Sequence, residues 1–563
     1  MRIEFRLDQY DLKQNFDLII IGGGINGAGI ARDAAERGLK VLLLEKNDFS
    51  SGCSSHSTRL IHGGLRYLEY LELNLVYESL QERETLLKNY PHLVNPLGLL
   101  VPAYEGNKFN LFKLNIGMWL YDWLSSGKSL KSYQKVSEEQ IPALHLGIKT
   151  TALEGAVYYY DAQVPIAERL VLENIATAEA RGAICLNHCE VTEIICSKTQ
   201  GKYHAQGVKF KDTLNGRRPF TVYGKNIINL TGPWLDDDIK WLKEKDQFPI
   251  STKLKRRIGG TKGSHIVVKP FPGAPVQFGI YNEAKLDGRP FFILPFKLGM
   301  NDDLYLIGTT DIFLEKDGNL DKLQISEREI TYLLNEVNDL FPQASLTSDS
   351  IVKTFCGVRP LPYTSKESGA AGKVTRKHFT INHDKEGLAN YYSVVGGKLT
   401  TFRSLAEELV NKFTSHKCYT SQRKTLGCNY PEDMDFYSYV QEVTRNYSSK
   451  YGIDANSILH LLMIYGTNTS KVLDLTLENP LLKNKISKEF EDIEAQIVYA
   501  IRYEQAFTVE DILERRLTIG LSRDIIDKAI IKTIHYHLTE EFELMARQRD
   551  RDIEAVLIAG YSS

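Results

Sequence analysis

Residues 17–45 constrain the fold more than any other stretch of the chain. Asp17-Leu18-Ile19-Ile20-Ile21 is an apolar, β-branched run that leads directly into Gly22-Gly23-Gly24-Ile25-Asn26-Gly27-Ala28-Gly29. A helix-forming stretch follows from Ile30 to Arg37, then Gly38, then a second apolar run from Val41 to Leu44 that stops at Glu45. Strand, glycine turn, helix, strand and carboxylate at these intervals form the dinucleotide-binding fingerprint of a parallel βαβ unit. Gly22 permits the tight turn, Gly24 lets backbone approach a pyrophosphate, and Gly27 allows close helix–strand packing. The pyrophosphate would sit at the positive end of the helix, and Glu45 would accept from an adenosine ribose hydroxyl. Arg32 and Asp33 read as solvated helix charges.

At 563 residues the chain is too long for one core, so two or three domains are expected. The formal charge of −2 excludes a globally basic nucleic-acid binder. No run of about 18 apolar residues is present, so no segment should span a bilayer. The cysteines, seven in all, are scattered and lack CxxC pairs, which reads as reduced cytosolic thiols and not as a zinc site or a disulfide frame. A charged helix is expected over Leu73–Lys88, stopping near Pro91. Residues 150–235 read as a return to the nucleotide domain, with a helix over Val164–Arg181, strands Ala183–Leu186 and Val191–Ile195, and a buried strand from Lys225 to Leu230. Strand-like runs then dominate: His265–Val268, Val276–Ile280, Phe291–Phe296 and Tyr305–Gly308 predict antiparallel sheet. The strand–glycine–helix pattern returns at Tyr391–Lys398. Residues 414–432 read as a linker, and the chain is helical in pattern from Met434 onward.

After Glu45 the chain does not continue in alternating βα units as nicotinamide enzymes do. Ser50–Arg59 is a loop rich in small hydroxyl residues that flows into Leu60-Ile61-His62-Gly63-Gly64-Leu65-Arg66. Such a loop suits a long, buried cofactor whose phosphates and ring both need close backbone, and flavin fits better than nicotinamide. A phosphorylated secondary alcohol as hydride donor would demand Arg forks and Lys for its phosphate. His62, Arg66, His265, Arg359, Arg376 and Lys398 supply that demand. Either histidine suits a general base, because imidazole titrates near neutrality.

The fingerprint, the block from Ser54 to Leu68, Lys262-Gly263-Ser264-His265, Ile307-Gly308-Thr309-Thr310-Asp311, Gly357-Val358-Arg359-Pro360 and Gly396-Gly397-Lys398-Leu399-Thr400-Thr401 occur in that order. Together they resemble the FAD-dependent glycerol-3-phosphate dehydrogenases, respiratory enzymes that pass electrons to quinone. The likeness extends to Arg502-Tyr503-Glu504 and Thr508–Arg516 in the tail. It implies an α/β fold: a Rossmann-like FAD domain of the glutathione-reductase/D-amino-acid-oxidase type (1–75, 150–240 and 350–413), an antiparallel-sheet substrate domain (76–149 and 241–349) and an all-helical C-terminal domain (432–563).

The resemblance also implies FAD contacts at Gly22, Gly24, Asn26, Gly27, Glu45, Lys46, Ser54, Ser55, Ser57, His62, Gly63, Gly64, Val191, Thr231, Gly232, Gly397, Lys398 and Thr400. Substrate contacts are implied at Arg66, Arg359, Arg376, His265 and Lys398, with His62, His265, Arg359 and Lys398 at the chemistry. Arg59 stands where the family commonly has Lys, which keeps the charge and puts lysine-specific contacts in question. The implied reaction is oxidation of sn-glycerol 3-phosphate to dihydroxyacetone phosphate. The rivals are a glycerophosphate oxidase that uses oxygen, an amine-oxidising flavoenzyme and a flavin-binding module without turnover. The short span between Arg359 and Lys398 favours the dehydrogenase over the oxidase, which typically carries an insertion there. No metal site is expected, and the DxDxDG loop of calcium-binding mitochondrial relatives is absent, which points to a bacterial-type enzyme.

A quinone acceptor implies peripheral, monotopic attachment at the cytoplasmic face of a membrane. Two segments bear on it. Lys253, Lys255, Arg256, Arg257 and Lys262 form a basic cluster that faces anionic lipid, steers an anionic substrate or is simply solvated. Phe109–Leu124 is too short and polar to span, and reads either as an interfacial helix anchored by Trp119 and Trp123 or as a cap over the core. For the tail, homodimerisation and packing over the flavin domain are the two roles considered.

Overall fold

Strand β1 (Asn15–Ile21) is buried on both faces, as its unbroken apolar run requires of a central parallel strand. The computed structural model, which describes residues 6–215, 219–243, 256–297, 303–314, 319–363, 376–521 and 526–560, places β1 at the centre of a nine-stranded sheet. Parallel neighbours are β2 (Val41–Leu44) on one side and Pro219–Asn229 on the other; Ile184–Leu186 and Tyr391–Val395 extend the parallel set outward. Leu18 and Ile20 point into a core shared with helix α1 (Ile25–Glu36) and helices Ala167–Glu179 and Phe402–Val410. Phe16, Ile19 and Ile21 face a second core, covered by the antiparallel strands Cys189–Thr199 and Lys202–Asp212.

The second sheet has ten strands, with Thr261–Val268, Asp303–Gly308, Pro290–Lys297 and Phe278–Glu283 in antiparallel succession, as the strand-like runs predict. One junction differs: Phe278–Glu283 runs parallel to Asn95–Tyr104. Leu153–Gln163 and Ile351–Arg359 fall in segments that the sequence grouped with the nucleotide domain, yet they pair in this second sheet. Their pairing partners are remote in the chain, so local pattern could not place them. Helix Glu327–Leu340, started by a Ser326/Glu329 capping box, covers the outer face with Leu333, Val337 and Leu340.

Two readings are corrected. Arg32 and Asp33 are buried, not solvated. The supposed linker is the reason: Arg32 donates to the Arg423 carbonyl at 2.9 Å, Cys418 to Asp33 at 3.0 Å, and His416 and Arg37 bond to one another's carbonyls. Residues 416–423 therefore lie packed along α1. From Phe436–Tyr451 to Lys528–Gly560 the described residues form helices joined by turns, with a core that includes Leu461, Val472 and Val498.

Candidate active site

The glycine turn sets one wall of a cleft of about 1520 Å³ between the two sheets. Gly22 holds φ 120°, a region that favours glycine, and a Cβ on Gly27 would collide with the Gly22 carbonyl. The Glu45 carboxylate accepts from the Gly23 amide at 2.7 Å and from the Asn47 amide at 2.9 Å, so it fixes the turn as well as facing the cleft. Ser54 accepts from the Ile25 amide at 3.0 Å, tying the hydroxyl loop to the start of α1. Ser57, Lys46, Val191, Thr231, Gly232, Gly397 and Thr400 line the same cleft, together with Gly24 and Asn26.

Four expected residues lie off the lining. Ser55 donates to the Ser50 carbonyl at 2.6 Å within its own loop. The Gly63 amide donates to the Tyr121 hydroxyl at 2.9 Å, and Gly64 (φ 80°) packs on the Tyr67 ring, so both glycines serve the turn. Arg66 is also absent from the lining, although its charge is felt by Arg359, Asp311 and Tyr67.

Strands of the second sheet deliver the charged side chains at the other end. Thr261 pairs with Arg359 and His265 with Gly308, and a Cβ on Gly263 or Gly308 would strike the Arg359 guanidinium or the His265 ring respectively. These glycines in the Lys262–His265 and Ile307–Asp311 blocks are room for neighbouring side chains. Arg359 donates to Asp311 at 3.1 Å and to Thr309 at 3.0 Å; Arg376 lies 3.6 Å from the other Asp311 oxygen. Lys398 sits 3.9 Å from the centroid of the Tyr67 ring, beside Ser79.

The electrostatics of this end show a shortage of negative charge. Burial, then Arg376, pushes the Arg359 guanidinium down to about 10. Burial, then Arg376, brings Lys398 down to about 7. Burial, then Lys398 and Arg376, lowers His62 to about 3, and burial with Arg359 holds His265 well below its usual value. Both imidazoles are therefore neutral near pH 7. They differ in contacts: His265 bonds Thr58 at 3.0 Å and stacks on Phe355, whereas His62 meets Phe292 edge-on and bonds the Thr400 hydroxyl through its backbone amide and carbonyl, not its ring.

Sequence reading missed Tyr67, Thr58 and Trp234, which are on the lining, and Asp311, which is off it and pairs with the lining residues Arg359 and Arg376. Asp311 and Tyr67 sit inside blocks already singled out, so a search for counter-charges and ring platforms next to the cations would have found them. Trp234 carries Lys46 4.3 Å from its ring centroid. Arg59 grips both oxygens of buried Glu168 at 2.7 Å, a bidentate pair that Lys cannot make.

The residues present fit a flavin dinucleotide. Glycine backbone lies along one wall, and a Cβ on Gly24 would meet only the Ser54 hydroxyl, leaving the backbone open to the cleft. Asn26 Oδ1, Trp234 Nε1 and His265 Nδ1 are buried without a protein partner. Residues 17–403 match the family of FAD dependent oxidoreductases, and residues 418–549 match the C-terminal domain of alpha-glycerophosphate oxidase. The chain is 42% identical over 551 residues to a glycerol-3-phosphate dehydrogenase of Synechocystis sp., covering 96% of this chain and 95% of that protein. It is 31% identical to an aerobic glycerol-3-phosphate dehydrogenase of Staphylococcus haemolyticus, over 94% and 93% of the two chains. The crystal structure of the glycerol-3-phosphate dehydrogenase from Bacillus halodurans complexed with FAD superposes with a TM-score of 0.73 at 27% identity, over 98% of this chain and 97% of that one. With fingerprint, cleft and relatives in agreement along nearly its whole length, this chain belongs to the FAD-dependent glycerol-3-phosphate dehydrogenase family.

Proposed function

We propose that the protein oxidises sn-glycerol 3-phosphate at C2 to dihydroxyacetone phosphate and passes the electrons from FAD to a quinone. One observation carries the substrate: Arg359 and Arg376 share one carboxylate, Asp311, at one end of the flavin cleft, and Lys398, which feels the charges of Glu78 and Glu72, lines the same cleft without an ion pair among the described residues. A phosphomonoester brings close to two negative charges and three acceptor oxygens. That is the counter-charge this end lacks. The two guanidinium forks orient the phosphate and Lys398 adds a point charge. An amino-acid substrate would need one carboxylate-binding Arg, not this group.

His62 takes the hydroxyl proton. Its ring borders the cleft, no hydrogen bond to the ring joins it to another described residue, and its lowered pKa keeps it unprotonated. The arriving dianion raises that pKa toward the working range by offsetting Lys398 and Arg376. His265, bonded to Thr58, positions the substrate wall. When bound, FAD supplies the two-electron acceptor for the C2 hydride, which requires reacting atoms about 3–3.5 Å apart.

Peripheral attachment to a membrane is supported by the helix Leu111–Leu124. Leu114, Met118, Tyr121 and Leu124 are buried, whereas Phe112, Ile116, Trp119 and Trp123 stand exposed at helical spacing on the other side. Leu71, Leu73 and Tyr77 are exposed on neighbouring segments that pack against this helix. An aromatic apolar face of this kind suits an interfacial helix. No helix among the described residues is long and apolar enough to cross a bilayer. The basic cluster is a weaker candidate. Lys253 and Lys255 lie outside the described residues, Arg257 is tied to Asp236 and Asp238, and Lys262 pairs with Glu329 at 2.6 Å.

Anaerobic titration of the purified protein tests the reading. Glycerol 3-phosphate should bleach the flavin band, and glycerol or amino acids at the same concentration should not. Fast recovery of colour with quinone and slow recovery in air marks a dehydrogenase; rapid peroxide formation marks an oxidase. A flavin band that glycerol 3-phosphate leaves untouched would refute the substrate.

A further inference from the structure

The cleft does not end at the first domain. Beyond Glu45, where the adenosine ribose belongs, its lining continues through Val191 and His188 and then into Thr508, Glu510 and Arg515 of the C-terminal helical region. The backbone explains the proximity: the Cys189 amide bonds the Glu45 carbonyl at 2.7 Å and the His188 amide bonds the Asn47 carbonyl at 2.7 Å. His188 then meets Asp511 at 3.0 Å.

The contact is locked by fully buried charge. Asp48, three residues after Glu45, accepts from Arg515 at 2.6 Å and from both terminal nitrogens of Arg516 at 2.7 and 2.9 Å. Asn187 joins Asp48 at 2.8 Å to the Gln505 carbonyl at 2.9 Å. Asp48, His188 and Asp511 stand close enough together to resemble a metal-ligand set, but Arg515 and Arg516 already balance the carboxylates. This cluster therefore holds two parts of the chain together. Glu510, in contrast, has its side chain 77% exposed and borders the cleft.

We propose that the C-terminal helical region is part of the cofactor site: Thr508, Glu510 and Arg515 close the adenosine end, and the Asp48–Arg515–Arg516 lock holds them against it. The inference rests on the cleft being the FAD site. Glu510 offers an acceptor to the amino or hydroxyl groups of adenosine, Thr508 a hydroxyl, and Arg515, 3.6 Å from Glu510, holds that carboxylate at the cleft edge. Flavin affinity thus depends on a segment more than 450 residues downstream of the fingerprint, as the Asp48–Arg515 separation of 467 positions indicates.

FAD and FMN binding to the deflavinated full chain tests this directly, by quenching of flavin fluorescence. FMN shares the flavin and lacks the adenosine. Arg515→Gln should weaken FAD about tenfold or more, the scale of one lost charge-assisted hydrogen bond, and leave FMN unchanged. Glu510→Ala, an exposed substitution that decides the matter should Arg515→Gln not fold, should weaken FAD about threefold to tenfold, again without effect on FMN. FAD affinity unchanged in Glu510→Ala and in folded Arg515→Gln would overturn the proposal, as would equal weakening of FAD and FMN, which means general loosening. Failure of the parent apoprotein to bind FAD at all would instead remove the flavin reading on which it rests.

Discussion

The two ends of the cleft hold clustered charges in opposite states of balance. At the adenosine end, Asp48 and Asp511 are matched by Arg515, Arg516 and His188, with bonds of 2.6–3.0 Å among them. At the substrate end, Arg359 and Arg376 share Asp311, while Lys398 has a long contact to Ser79, the Tyr67 ring, and the more distant charges of Glu78 and Glu72. A balanced buried cluster fixes structure, because breaking it strands a charge away from water. An unbalanced one is held at a cost by the fold and completed by its ligand. On the proposed reading, the comparison separates residues that hold the protein together from those that recognise substrate.

Arg359→Ala gives the largest expected effect. Loss of a charged fork to phosphate removes about 4 kcal/mol of binding, so kcat/KM for glycerol 3-phosphate should fall about 1000-fold. Flavin content should stay at the parent level, since Arg359 belongs to the opposite end from the lock. Asp48→Ala should do the converse: urea unfolding should show a loss of about 3–5 kcal/mol as Arg515 and Arg516 are left buried and unpaired. Arg359→Ala should change stability by less than about 1 kcal/mol, because it relieves crowding with Arg376. A greater stability loss for Arg359→Ala than for Asp48→Ala would break the comparison.

Lys398 sharpens it through pH. Burial, then Arg376, lowers its pKa to about 7, and the protonated form is the one that binds phosphate. The kcat/KM profile should climb as the substrate becomes a dianion near pH 6, then fall by about tenfold per pH unit as pH rises past Lys398 deprotonation. Lys398→Arg stays charged throughout and should move the falling limb to higher pH. A falling limb that does not move assigns it to another group. The smallest effect concerns the membrane face: Trp119→Ser with Trp123→Ser should weaken binding to anionic vesicles about tenfold, with turnover on a soluble acceptor unchanged. Unchanged vesicle binding would point to a different surface.

Where function depends on local chemistry, the sequence was readable. The strand–glycine–helix fingerprint carries its own spacing, so Gly22, Gly24, Gly27 and Glu45 reached the cleft as expected. His62, His265, Arg359, Arg376 and Lys398, drawn from segments far apart in the chain, all line one cavity. Readings failed where a distant partner decides the environment. Arg32 looks like a surface charge until residues 416–423 cover it. Asn95–Tyr104 contains Pro96, Gly98 and Pro102, which hide a strand that pairs with Leu153–Gln163. Gly63 and Gly64 follow a site histidine, yet their job is to turn the chain against Tyr121 and Tyr67. No local pattern could link Asp48 to Arg515 and Arg516.

The central claim is that the unbalanced cations recognise phosphate and leave the chemistry at the alcohol to other groups. Stopped-flow reduction of the flavin under anaerobic conditions, with glycerol 3-phosphate and glycerol run side by side on the parent and on Arg359→Ala, tests it most directly. The account predicts a large preference for glycerol 3-phosphate in the parent that collapses in the variant, with the slow reduction by glycerol unchanged. Loss of both reactions by the same factor would contradict it, because Arg359 would then serve the hydride-transfer step itself.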